Sequence, residues 1–150
     1  MSNNNCTIFV TGTRGIPNIM GGVETHCEEL YPRLAENRYD VTIIRRASYS
    51  HDHLTQWNGV NLIDINAPRS KSFEAIIHTW RAVWKAKQKN AKILHIHACG
   101  PAILTPIARL LGMKVVFTHH GGDYNREKWN WMAKLVLRFG EFLGATFANK

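Results

Sequence analysis

The stretch Thr11-Gly12-Thr13-Arg14-Gly15-Ile16-Pro17-Asn18-Ile19-Met20-Gly21-Gly22-Val23-Glu24 holds the residues best placed to do chemistry. An apolar run, Ile8-Phe9-Val10, leads into it, and an amphipathic pattern from Glu24 to Leu34 leaves it, so it reads as strand, long loop, helix. A glycine pair just before a helix lets the first free N–H groups point at an anion, and the helix dipole adds partial positive charge there. Gly21 and Gly22 are therefore expected to face a phosphate or diphosphate; the plainer alternative is that these glycines only turn the chain. Arg14 is a candidate phosphate ligand, since its guanidinium binds oxyanions bidentately. Glu24, at the mouth of the helix, either contacts a sugar hydroxyl or is a first-turn acid stabilised by the dipole.

A second group is histidine-rich. His119 and His120 lie in Phe117-Thr118-His119-His120-Gly121-Gly122-Asp123, directly after an apolar strand pattern. Neighbours in extended chain point opposite ways, so one imidazole should face a cleft while the other packs or caps. His95 and His97 share one face of the preceding strand. With His119, His120 and Asp123 they raise a zinc or iron centre as an alternative. Because that strand should be buried, histidines in the core or on the cleft floor are the favoured reading, with no metal.

A third pair bears on cofactor choice. The second strand ends in Arg45-Arg46, where an NAD enzyme wants an acidic residue for the ribose. Arginine there suits a 2′-phosphate, which keeps an NADP-dependent oxidoreductase as an alternative. The glycines, however, do not have the G-x-G-x-x-G spacing.

These groups need a scaffold that brings them together. Strands are expected over Cys6 to Thr11, Tyr39 to Arg46, Val60 to Asn66, Lys92 to Ala98 and Lys114 to Thr118. Between them fall helical patterns from Glu24 (broken or ended near Pro32), from Phe73 to about Asn90, from Pro101 to Leu111, and from Arg126 to Leu143. Tyr49 to Asn58 reads as a polar loop, and Arg69 to Ser72 as a mobile connection. Alternating strands and helices imply a doubly wound, mainly parallel α/β sheet of Rossmann-like type. Three loops, Gly12 to Glu24, Cys99-Gly100-Pro101 and His119 to Tyr124, would then share the carboxyl edge, where such sheets bind ligands. The stripes Phe73/Ile76/Ile77/Trp80/Val83/Trp84 and Trp129/Met132/Leu135/Val136/Phe139/Leu143 are expected to pack on the sheet. The alternative for the last helix, with Lys128, Lys134 and Arg138 beside Trp129 and Trp131, is an anionic membrane surface.

A chain of 150 residues with 45% hydrophobic and 20% charged residues suits one globular domain. The net charge of +8 favours anionic partners. No RNA-binding aromatic signature or zinc finger is present, so nucleic acid is not expected. Three cysteines without a C-x-x-C argue against a disulfide framework or zinc site and suit a reducing cytoplasm. The polar start Ser2-Asn3-Asn4-Asn5 lacks the character of a signal peptide, and no apolar run approaches membrane-spanning length.

Taken together, Gly12-Thr-Arg-Gly-Ile-Pro, Gly21-Gly22-Val23-Glu24-Thr25, His95-Ile-His97, Gly100-Pro101 and Thr118-His119-His120-Gly121 resemble the N-terminal domain of GT-B-fold retaining glycosyltransferases of family four. The similarity extends in particular to a bacterial rhamnosyltransferase-like branch of surface-polysaccharide assembly. The resemblance covers nearly the whole chain. It implies one half of a two-domain enzyme, residues 1–150 being the acceptor side. A C-terminal donor-binding domain with a pair of glutamates would lie outside this chain.

It further implies hexosyl transfer, with retention, from a nucleotide-diphosphate sugar to a glycan or lipid-linked acceptor. Neither metal nor resident cofactor would be needed. The isolated half is expected to be inactive, and the enzyme cytoplasmic or peripheral at the inner membrane face. Gly21 and Gly22 would meet the donor diphosphate and His120 the reaction centre, with Arg14 and Asp123 at the rim.

Overall fold

The computed structural model describes residues 6–68, 73–125, 127 and 129–150, and at Asp123 the backbone alone. The connection expected at Arg69 to Ser72, and Arg126 and Lys128 of the last helical pattern, lie outside the described residues. Six strands form one sheet: β1 (Thr7–Thr11), β2 (Asp40–Arg46), β3 (Gln56–Trp57), β4 (Val60–Ile65), β5 (Ile93–His97) and β6 (Lys114–Thr118). Their spatial order is β3-β4-β2-β1-β5-β6, and every neighbouring pair is parallel except β3 with β4. The helices are α1 (Gly22–Glu36), α2 (Glu74–Gln88), α3 (Thr105–Leu110) and α4 (Trp131–Phe147). The chain is thus α/β with a doubly wound, mainly parallel, Rossmann-like sheet. It winds outward from β1 through β2 and β4, then returns to β5 and β6. The order reverses between β1 and β5, which is where such sheets open a crevice.

Strand alternation divides the core into two layers. Ile8, Val10, Val41 and Ile43 face α1 and pack with Cys27 and Tyr31. Phe9, Ile44, Leu94, Ile96 and Val115 face the other way, onto Ala82, Val83 and Ala86 of α2 and Ala102 and Ala108. On β5 the apolar side chains Leu94 and Ile96 therefore take one face and leave His95 and His97 to the other, the face α1 covers.

The elements depart from the sequence expectations at several points. The polar segment from Tyr49 contains β3, whose two residues pair antiparallel with Asn61 and Val60. A two-residue strand is too short to carry a hydrophobic alternation. Helix α1 runs through Pro32 to Glu36 and stops at Asn37, with Arg38 at φ 66. The pattern from Pro101 splits into a tight 3-10 turn, Pro101–Leu104, followed by α3. The last helix begins at Trp131, where the Asn130 side chain accepts from the Ala133 amide at 2.8 Å, and it continues to Phe147.

The two apolar stripes are corrected more deeply. On α2 the buried residues are His78, Thr79, Ala82, Val83 and Ala86, while Trp80 and Trp84 lie outward, edge-on to each other at 5.9 Å. On α4 the only fully buried residues are Gly140 and Gly144. Trp131, Met132, Leu135, Val136, Phe139 and Phe142 are all exposed. The reason is the closeness of approach. A Cβ on Gly140 would stand 2.0 Å from the Cys99 carbonyl oxygen, and one on Gly144 would stand 2.8 Å from the Phe117 ring. Small residues let the helix backbone lie against the sheet's edge, and the large ones are left on the outer side.

Candidate functional site

The loop after β1 is organised by one buried carboxylate. Glu24, 4% exposed, accepts from the Thr13 hydroxyl at 3.1 Å and from the Arg14 amide at 3.0 Å, both through Oε1. The Arg14 guanidinium closes on it from above, with Nη2 3.0 Å from Oε2 and Nε 3.3 Å from Oε1. Arg14 also donates to the Met20 carbonyl at 2.5 Å and lies over the Tyr49 ring. Burial alone would raise the Glu24 carboxyl, but the Arg14 hydrogen bonds outweigh it and hold the pKa below its ordinary value. The pair is therefore ionised at neutral pH and pins both ends of the loop to the start of α1.

Gly21 is the N-cap of α1, at φ 156, a conformation open to glycine. A Cβ there would collide with Glu24 Oε2 at 2.1 Å and Arg14 Nη2 at 2.3 Å. Having no side chain, the cap residue itself offers the first-turn amides no acceptor. A Cβ on the exposed Gly22 would meet nothing within 4 Å. The positive end of the α1 dipole thus lies by the reversal of strand order between β1 and β5, where sheets of this kind bind ligands.

The other wall is built of imidazoles. His120 follows β6, and its Nε2 lies 2.7 Å from His97 Nδ1. His97 Nε2 lies 2.5 Å from the Tyr31 hydroxyl, which is 2.9 Å from His95 Nδ1. His95 Nε2 in turn meets Thr118 Oγ1 at 2.7 Å. The rings of His95 and His97 stack at 4.3 Å. His26, in the second turn of α1, meets the His120 ring edge-on at 5.2 Å and so joins the glycine wall to the histidine wall. Burial, then the neighbouring imidazoles, push His97 down to about 2 and His95 to about 4. Burial followed by His26 also lowers His120. Burial raises the Tyr31 phenol well above its usual value. His95, His97, His120 and Tyr31 are therefore uncharged at neutral pH.

The structure thus brings Gly21, Gly22, Arg14, Glu24 and His120 to one end of the sheet. The Asp123 side chain lies outside the described residues. His119 and His120 diverge as adjacent residues should: His119 turns outward, its Nε2 3.0 Å from Glu141 on α4 and its Nδ1 accepting from the Gly121 amide at 3.2 Å. Among the described residues no group of three or more His, Cys, Asp or Glu is arranged to hold a metal ion. The ring nitrogens of His95, His97 and His120 turn toward one another and toward Tyr31 instead.

Arg45 is corrected. It is fully buried, with Nε and Nη2 on the Asp64 carboxylate at 2.6 and 3.0 Å and Nη1 on Asp52 at 2.9 Å. It also donates to the Ile16 and Leu54 carbonyls. It is a strut beneath the loop and is not placed to meet a ribose phosphate.

Tyr31 and His26 were not singled out from the sequence. Tyr31 does carry a signal: it stands seven residues after Glu24 and four after Cys27, on the buried side of α1. His26 is exposed, and nothing local marks it.

Residues 20–149 match the model of the family described as Glycosyltransferase Family 4. The matched region includes Gly21, Gly22, Glu24, Tyr31, His97 and His120. No curated protein matches the chain.

Proposed function

The chain belongs to glycosyltransferase family 4, and from that premise we propose that it is the acceptor-side half of a retaining hexosyltransferase. The reading names a nucleotide-diphosphate sugar as donor and a glycan or lipid-linked acceptor of surface-polysaccharide synthesis, as in the rhamnosyltransferase-like branch. The donor-binding half is a second domain outside residues 1–150, and these residues alone do not turn over. No metal or resident cofactor enters. The observation that carries the reading is the convergence, through His26, of the uncapped amides of α1 with the His120 imidazole at the reversal of strand order.

In this reading the glycine loop and the imidazoles divide the work. The amides of Gly21 and Gly22, at a helix N-terminus, stabilise the diphosphate as it leaves with its developing charge. Glu24 acts through the loop: it fixes Arg14 and the cap rather than reaching substrate. Arg14, with its side chain 35% exposed, would offer its outer edge to the donor, and Asp123 is kept as a second candidate at the rim on the family resemblance alone. His120 is uncharged and offers one nitrogen to a sugar hydroxyl near the anomeric centre.

The NADP alternative loses its main support, because Arg45 is occupied by Asp52 and Asp64. The test is an amide and imidazole chemical-shift titration of the chain. Nucleoside diphosphate, then the nucleotide sugar, should move Gly21, Gly22 and His120 together. A stronger response to NADPH at the same residues, or robust sugar transfer by the isolated chain, would sink the proposal.

A peripheral position at the anionic inner face of the membrane fits the same reading. Among the described residues no helix is long and apolar enough to cross a bilayer. Helix α4, however, offers an outward apolar face whose edge carries Lys134 and Arg138, on a chain of net charge +8.

A further inference from the structure

Tyr31, His97 and His95 lie beneath the proposed site, and the function argued so far gives them no task. Their contacts form an unbroken chain, His120–His97–Tyr31–His95–Thr118, with links of 2.7, 2.5, 2.9 and 2.7 Å. Each neutral imidazole has one N–H and one bare nitrogen, and the phenol has a single proton. Tyr31 and His97 are both 0% exposed, so no water relieves a mismatch.

That leaves two consistent arrangements. In one, each ring donates from Nε2. His120 donates to His97, His97 to the Tyr31 oxygen, Tyr31 to His95 Nδ1, and His95 to Thr118. In the other, Thr118 donates first and each ring donates from Nδ1. Both contain the same protons. A mixed arrangement sets two bare nitrogens or two N–H groups against each other between His120 and His97, sets two bare nitrogens on one Tyr31 proton, or leaves that proton without an acceptor in the core, at a cost of about 1–3 kcal/mol. The Nε2–H form is the intrinsically more stable tautomer of a neutral imidazole in water, so the arrangement with Nε2–H on all three rings is favoured.

We infer that Tyr31 and His97 are positioning residues, which, through His95 and Thr118, lock His120 in the Nε2–H tautomer with a bare Nδ1 turned to the crevice. His120 then presents a hydrogen-bond acceptor, and its partner is a hydroxyl of the bound sugar. The coupling of the tautomers stands on the contacts and its sense on the preference of imidazole for Nε2–H, whereas the hydroxyl partner rests on the glycosyltransferase reading above. The fixed sense matters because the ring nitrogens are distinct, and the contact made by one decides what the other can do. A freely rotating histidine would spend part of its time as a donor at Nδ1 and would not orient a hydroxyl.

The test is a two-bond ¹H–¹⁵N correlation spectrum of the 150-residue chain at pH 7, which reads each imidazole's tautomer without substrate. All three of His95, His97 and His120 should appear as Nε2–H. Any one of them found as Nδ1–H overturns the assignment. Tyr31→Phe should convert His120 to averaged signals; Thr118→Val, which alters only the far end of the chain, serves where Tyr31→Phe fails to fold. Unchanged His120 signals in a folded variant overturn the coupling. Adding nucleotide sugar separates the two ideas. If the tautomer pattern is present but His120 Nδ1 does not respond to the sugar, the glycosyltransferase reading fails and the lock stands.

Discussion

Glu24 Oε1 lies 3.0 Å from the backbone nitrogen of Arg14, and Oε2 lies 3.0 Å from the Nη2 of the same residue. One carboxylate in the first turn of α1 thus holds a loop residue by main chain and side chain together. Glu24→Ala should leave the Thr13 hydroxyl and Arg14 amide without their acceptor, lowering stability by about 2 kcal/mol, or roughly 6 °C in melting temperature. It should also weaken diphosphate binding, since the glycine cap would no longer be fixed. Calorimetry and the shift titration check the two effects. Full affinity in a destabilised variant would remove the loop from the anion site.

Stability should fall on acidification well before the carboxylates titrate. His78 and His95 are pushed to about 4 and His97 to about 2, from an ordinary 6.5, with burial the largest cause at each. Between these values and 6.5 the unfolded chain binds protons that the native state refuses, so stability rises with pH across that window and is lost as pH falls through it. Three such groups give a slope of up to about 4 kcal/mol per pH unit near pH 5. Glu24, held low, adds a further loss only below its ordinary 4.5. Urea midpoints from pH 7.5 to 4.5 measure the slope, and a flat profile above pH 5 would contradict the buried neutral cluster.

Arg45 predicts a different signature. Arg45→Met should cost about 3 kcal/mol by leaving the half-exposed Asp52 and Asp64 carboxylates and the Ile16 and Leu54 carbonyls without their common buried donor. Because the strut also holds the Ile16 carbonyl, the loss should extend to protection of the loop amides from hydrogen exchange. The double variant with Asp64→Asn should recover part of the stability. A stable single variant would show that the strut is dispensable.

Five of the six strands were legible because each is a short apolar run, and both apolar faces of a parallel sheet are covered; β3, two residues in a polar segment, was not. The glycine wall and the His119-His120 pair were placed at strand ends for a related reason, the alternation of elements, whereas the choice of His120 over His119 came from the family resemblance. The partners of His120 were not legible. His97 by itself reads as a histidine of the core or of the cleft floor, and Tyr31 belongs to no motif. Their link spans 66 residues and exists only once β5 lies beneath that helix. The α4 stripe misled because periodicity marks an apolar face without saying which face is inward. Gly140 and Gly144 decided that, through their contacts with Cys99 and Phe117.

That inverted helix yields the last prediction. Leu135, Phe139 and Phe142 point away from the sheet, so replacing Leu135 and Phe139 together by Ser should leave the fold's stability within about 0.5 kcal/mol. If the outer face lies on a bilayer, the same change removes two apolar insertions, each contributing about 1.5–3 kcal/mol when fully buried. Co-sedimentation with vesicles rich in anionic lipid should then fall at least tenfold, while vesicles of neutral lipid should bind the parent protein weakly throughout. Neutralising Lys134 and Arg138 should weaken binding less, by roughly 1 kcal/mol per charge, and raised salt should mimic it. Gly140→Leu is the complementary case: its side chain would meet the Cys99 carbonyl, so it should unseat α4 and destabilise the domain whether or not lipid is present. Binding that survives the double Ser variant, or that ignores lipid charge, would mean that the outward face of α4 meets something other than an anionic bilayer.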